Sequence, residues 1–307
     1  NMKLLYFYLV SSMKYFYLFI IIFSLVIINY IYNYYYYHYK EEKNFTLFKS
    51  LNIPEFDFLT FDYLSNNHGD KEIYLCESAS NAMPEEDSIC VYDNNYIKPD
   101  NFKGNVYKKS TIKDFIKNDL DDDKWYFKYE DDYKFFKMIG MEKKFKNVCK
   151  NVCKNVFNSD KTDNILNSSI SFWCGGKNTK TPWHTDFDDR CFLYVIHGKK
   201  KLKIVSPKYD KKMYKTNKYF FFSLWSEVDF SNPDYEKYPL YKDVEIKEII
   251  LNAGDGIYIP RNWWHCVENL EPTIALTYCS YSKNFYKYCK LPEKIRKIYY
   301  TFFKSKQ

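Results

Sequence analysis

The sequence predicts a mainly β chain with flanking helices, preceded by a single transmembrane helix. Three observations carry that reading. From about residue 168 to 282 the apolar residues recur with period two, the repeat of a half-buried strand. Five of the eight glycines lie between 175 and 256, where strands have to turn. Residues 15–39 contain no Lys, Arg, Asp or Glu. The length of 307 residues allows one large domain or two small ones, and 46% hydrophobic residues exclude a disordered chain.

The elements follow in order. Residues 1–40 read as an anchor. The 25 uncharged residues of 15–39, which begin YFYLFIIIFSLVIINYIY, exceed the ~20 that cross a bilayer, and tyrosines sit at both ends of the stretch. A cleaved leader needs small residues after the apolar run, and 29–39 offers none. The expected location is therefore a membrane crossed once, with the endoplasmic reticulum and secretory pathway as the expected setting. Residues 41–110 mix short apolar runs with turn signals and read as an N-terminal extension with short strands. TIKDFIKN (111–118) reads as a short helix capped by Ser110 or Thr111, and WYFKY (125–129) as a strand. Residues 133–157 carry apolar residues at helical spacing. The β domain closes the region 111–282, and a basic helical tail, 283–307, ends the chain.

Charge narrows the partners. The formal charge is +7, but the tail alone holds eight Lys/Arg and one Glu, so the body is close to neutral. Only three residues are Arg. Bidentate reading of phosphates and bases draws on Arg, so a nucleic-acid partner is not expected. The tail suits an anionic membrane surface. Nine cysteines include one close pair, Cys149 and Cys153, and no repeated C-x-x-C, so no structural zinc site is expected.

The chemistry concentrates in two motifs. TPWHTDF places His184 and Asp186 two apart, hence on one face of a strand. GDGIYIPRNWWH ends in His265. Two His and one carboxylate can hold a divalent metal from one side and leave adjacent positions open. The strand KKKLKIVSP adds a third signal. Leu202 and Ile204 must face inward, and Lys200 shares their face. A buried ammonium needs a partner. A bound carboxylate would serve, as would a protein Asp or Glu, or an ammonium that snorkels out of the sheet end.

The stretch TPWHTDFDDRCFLYVIHGKKKLKIVSP, with GDGIYIPRNWWHCVENL, resembles the JmjC (cupin-like) family of Fe(II)/2-oxoglutarate oxygenases over roughly 110–282. The likeness is greatest to the small hydroxylase branch that includes the asparaginyl hydroxylase of hypoxia-inducible factor. The resemblance implies a double-stranded β-helix, a jelly roll, with the metal at its mouth. It implies His184, Asp186 and His265 as Fe(II) ligands, and a homodimer contact through the C-terminal tail. It also implies Lys200, Thr181 and Tyr126 as contacts of the distal carboxylate of 2-oxoglutarate, the cosubstrate. Cys191, Thr277 and Cys279 depart from the Asn, Asn and Trp frequent in relatives.

The implied activity is hydroxylation of a protein side chain, coupled to decarboxylation of 2-oxoglutarate to succinate. N-methyl-lysine demethylation and tRNA hydroxylation use the same kind of site. A degenerate, non-catalytic cupin that serves as a binding or scaffold module is the alternative from another class.

Overall fold

The computed structural model describes residues 44–79, 107–129, 134–148, 165–186, 190–216 and 224–282, together with Ser24. The expected membrane span, the Cys149/Cys153 pair and the basic tail lie outside the described residues. Among the described residues, no helix is long and apolar enough to cross a membrane. Residues 42–281 form a compact unit.

Two sheets build its body. The larger has eight strands in the order β1 (Thr46–Phe48), β12 (Gly256–Pro260), β7 (Arg190–His197), β14 (Thr273–Ser282), β5 (Ile165–Gly175), β4 (Trp125–Tyr129), β2 (Glu72–Glu77) and β3 (Tyr107–Thr111). The smaller has six, in the order β11 (Lys247–Asn252), β8 (Lys199–Val205), β13 (Trp264–Asn269), β6 (Lys180–Thr185), β10 (Leu224–Ser226) and β9 (Lys215–Thr216). From β5 to β8, and again from β11 to β14, the chain alternates between them, while β9 and β10 stay in the smaller sheet. β5, β7, β12 and β14 lie in the larger sheet, and β6, β8, β11 and β13 in the smaller. That interleaving of two four-strand sets is the winding of a jelly roll. Residues 46–77, read from the sequence as an extension, supply two strands to the larger sheet: β1 pairs with β12, and β2 with β4.

Strand alternation sorts the side chains. Leu193 and Val195 of β7, Leu202 and Ile204 of β8, and Ile257 and Ile259 of β12 share one buried cluster. Their neighbours Phe192, Tyr194 and Tyr258 face the other way, into a second cluster with Phe56 and Phe145. There Phe56 stacks on Phe145 at 5.2 Å, and the Tyr194 hydroxyl accepts the Ile53 N–H at 3.0 Å. The short helices close this side. In α1 (Phe61–His68) the Thr60 hydroxyl accepts the Tyr63 N–H, and in α2 (Ile112–Asn118) the Thr111 hydroxyl accepts that of Asp114. Such caps satisfy N–H groups the helix itself leaves unpaired.

Two stretches differ from the periodicity. The helical run expected over 133–157 is divided. α3 (Lys134–Met138) ends at Gly140, which takes φ 72°, and a second helical stretch covers 142–148. A left-handed residue cannot continue an α-helix, and glycine adopts it without steric cost. The period-two region is also interrupted. Between β8 and β11 lie two 3-10 helices, Pro207–Lys212 and Pro239–Asp243, and Asx turns at Asp229 and Asp234. Pro207 and Pro239 open the two 3-10 helices, where a missing N–H leaves no bond unmade. It packs Val228, Phe230 and Tyr241 against Trp183 and Trp264 on the outer face of the smaller sheet. In the acidic run 119–123, Asp119 is buried and paired with Lys108 at 2.9 Å.

Candidate metal centre

β6 and β13 are neighbours, and their register sets His184 directly opposite His265. Asp186 lies two residues past His184, just beyond the end of β6. One ligand atom from each of the three falls within 4.8 Å of the others. Asp186 Oδ1 stands 3.8 Å from His184 Nε2, and Oδ2 stands 3.6 Å from His265 Nε2. The two imidazole centroids are 4.1 Å apart.

The hydrogen bonds decide what this cluster can hold. His184 Nδ1 lies 2.8 Å from the Pro182 carbonyl, and His265 Nδ1 lies 3.1 Å from the Trp263 carbonyl. A carbonyl only accepts, so each Nδ1 carries the proton and each Nε2 presents a lone pair. Burial, and then the neighbouring His265, hold the His184 pKa down at about 3, which keeps the ring neutral. Two lone pairs therefore face a carboxylate at distances too long for a hydrogen bond. Acceptors gathered in this way call for a cation among them. Two nitrogens and one carboxylate suit a first-row divalent metal such as Fe(II). Trp225 of β10 lies parallel to the His184 ring, 4.9 Å away and 21° from coplanar, and covers its outer side.

A pocket opens at Thr181 and Val267, the pair next to His184 and His265 in the β6–β13 register. Tyr126, Trp173, Thr181, Lys200, Val267 and Asn269 are among its walls. All three residues expected to contact the diacid, Lys200, Thr181 and Tyr126, thus meet in one place. Thr181 reaches it through a β-bulge. Three residues separate Thr181 from His184, which on a regular strand would face them apart. On β13 only two residues separate their partners, Val267 and His265. The extra residue in β6 brings Thr181 to the side of the metal cluster.

Lys200 is 7% exposed, on the same face as fully buried Leu202 and Ile204. Its outward neighbours each find a carboxylate: Lys199 meets Glu271, Lys201 meets Glu268 and Lys203 meets Glu248. Lys200 instead donates to the neutral Asn269 Oδ1 at 2.7 Å. Among the described residues no carboxylate answers its charge, and burial pushes its pKa down to about 8. Asn269 is itself held, since its Nδ2 donates to Thr179 Oγ1 at 2.7 Å. Gly175 makes that arrangement possible: a Cβ there would stand 2.6 Å from Asn269 Nδ2 and 2.8 Å from Thr179 Oγ1. The buried indole N–H of Trp173 has no hydrogen-bond partner among the described residues. One unneutralised ammonium and one unused donor in a single pocket fit a carboxylate-bearing ligand.

Sequence reasoning missed Asn269, Thr179 and Trp225. Their roles depend on which strands become neighbours, and no local motif signals that.

The family model described as a cupin-like domain matches residues 51–285. JmjC domain-containing protein D of Dictyostelium discoideum is 40% identical over 119 residues, which is 38% of this chain and 25% of that protein. Lysine-specific demethylase JMJ31 of Arabidopsis thaliana is 30% identical over 145 residues, 47% of this chain and 26% of that protein. HSPB1-associated protein 1 of Homo sapiens is 27% identical over 103 residues, 33% of this chain and 21% of that protein. The match thus spans about a quarter of each relative's length. With the family model covering most of its length, and the fold and histidine–aspartate cluster as described, the chain belongs to the JmjC, cupin-like family.

Proposed function

We propose that the chain is an Fe(II)- and 2-oxoglutarate-dependent oxygenase that hydroxylates a protein side chain, and that residues 15–39 tether it to a membrane. The observation that carries the reading is the pairing of a lone-pair cluster, His184, Asp186 and His265, with a buried ammonium that no carboxylate among the described residues answers. Fe(II), when bound, supplies an oxidation coupled to decarboxylation of 2-oxoglutarate to succinate. The chain supplies position. The Pro182 and Trp263 carbonyls orient the two imidazoles, and Asp186 contributes the negative charge. Lys200, Thr181, Tyr126 and the Trp173 N–H would hold the distal carboxylate of the cosubstrate. Trp225 keeps water from the outer side of His184.

The test is aerobic turnover with Fe(II). Succinate formation by the wild type, abolished in His184→Ala, supports the proposal. Equal turnover in the variant, or none in the iron-loaded wild type, refutes it. A second reading is demethylation of N-methyl-lysine, favoured by relatives that carry the name lysine-specific demethylase. Mass spectrometry of captured substrates separates the two, because hydroxylation adds one oxygen and demethylation removes one methylene.

A further inference from the structure

Cys191 of β7 and Cys279 of β14 are directly opposed in register. Both are buried, and their sulfurs lie 3.3 Å apart with the Cys279 S–H directed at Cys191 Sγ. Opposed residues in antiparallel strands have Cα atoms about 4.5–5.5 Å apart, inside the window that a disulfide spans. Cys191 also lies within hydrogen-bond reach of the Asp186 carboxylate. The two thiols therefore sit behind a member of the metal cluster, although 88 residues separate them in the chain.

We propose that Cys191 and Cys279 are a redox-modification site, closing to a cross-strand disulfide that withdraws a hydrogen bond from Asp186. The oxidant class is a hydroperoxide. In the first step one sulfur attacks the peroxide: an S–O bond forms, the O–O bond breaks, and the thiol proton leaves with water. In the second, the facing sulfur attacks the sulfenic acid: the S–S bond forms, the S–O bond breaks, and a second water leaves. Two thiols lose two electrons and one peroxide becomes two waters. Burial raises both barriers to the first step, since the thiolate is the nucleophile. The second step is intramolecular at 3.3 Å. The disulfide should therefore accumulate without a lasting sulfenic or sulfinic acid at either residue. Once closed, Cys191 has no S–H to donate to Asp186. Loss of a hydrogen bond to a metal-ligating carboxylate weakens metal binding by about 10–100-fold. An S–H is a weak donor, so the lower end applies.

The closure stands on the thiol geometry alone; its effect on the metal rests on the proposed site. The experiment uses the full chain, treated with hydrogen peroxide or with a phosphine reductant, then alkylated, digested and mapped by mass. The expected product is a Cys191–Cys279 linked peptide, two hydrogens lighter than its parts and reversed by the reductant. Recovery of both residues as alkylated thiols, under peroxide that oxidises other cysteines of the chain, overturns the proposal. Titration with Co(II) alone reads the second half. Oxidised wild type should bind about tenfold more weakly than reduced protein, and Cys279→Ala should be indifferent to peroxide. Equal Co(II) affinity of the two wild-type forms, with the disulfide shown by mass, overturns the link to Asp186. Neither readout needs turnover, so their failure differs from failure of the oxygenase reading.

Discussion

At the scale of single residues, Lys200 does the most to define the pocket. Its ammonium, bonded to Asn269 and buried without a counter-charge among the described residues, costs stability, and under the proposed function it would contribute affinity once an anion arrives. Its pKa is depressed in the fold to about 8, from 10.5. Between those values the unfolded chain keeps a proton that the folded chain has released. The lysine's stability penalty is therefore full below pH 8 and fades as pH rises toward 10.5. Ligand binding has the opposite sign, because a dicarboxylate needs the charged form. Calorimetric titration of metal-loaded protein should show 2-oxoglutarate affinity level below pH 8 and falling above it, by up to tenfold per unit. Lys200→Met should abolish that pH dependence and weaken binding by about a hundredfold or more. A pH-independent affinity in the wild type would remove Lys200 from the site. Gly175 makes a second residue-scale test. The Cβ of Gly175→Ala collides with Asn269 and Thr179, so the variant should lose about 1–3 kcal/mol in a urea melt and bind 2-oxoglutarate less tightly.

At the scale of elements, β8 carries two chemistries on its two faces. Lys201 is paired with Glu268 on the outward face, where both side chains retain some solvent contact. Lys201→Ala should change stability by less than about 1 kcal/mol in denaturant unfolding and leave 2-oxoglutarate affinity unchanged, in contrast to Lys200→Met one residue away. This alternation was legible in the sequence, because the hydrophobic neighbours Leu202 and Ile204 fix which face is inside. WYFKY as a strand and TIKDFIKN as a capped helix were legible for the same reason: propensity, cap and burial pattern agree. The bulge in β6 was not. Spacing within one strand cannot say that its partner is one residue shorter, so Thr181 entered the pocket on resemblance, and its geometry came only with the register. The division of the 133–157 run at Gly140 and the excursion between β8 and β11 were hidden likewise. Their apolar residues answer to surfaces contributed by distant segments.

At the scale of the molecule, the jelly roll brings far-separated chemistry to one end of a stiff frame. His184 and His265 are 81 residues apart yet lie in register, because the winding makes β6 and β13 neighbours. The motifs picked out the three residues; the winding tells why they meet. The Cys191–Cys279 pair shows the limit of motif reading, since the eye is drawn to Cys149 and Cys153, four apart, while the opposed thiols are on β7 and β14. A metal that binds only the folded arrangement should stabilise the whole unit. Divalent ion at a hundred times its dissociation constant contributes about 2.7 kcal/mol, so the melting temperature should rise by about 5–10 °C and return on chelation. A melting curve indifferent to metal and chelator would fit a binding module better than an oxygenase.

The central claim is that His184, Asp186 and His265 together hold one divalent ion. Calorimetric titration with Mn(II), which needs no protection from air, measures this directly. The wild type should bind one ion per chain, and His265→Ala and Asp186→Ala should each bind at least a hundredfold more weakly, with melting behaviour otherwise retained. A wild type that binds no ion, or variants that bind as tightly as the wild type, would contradict it.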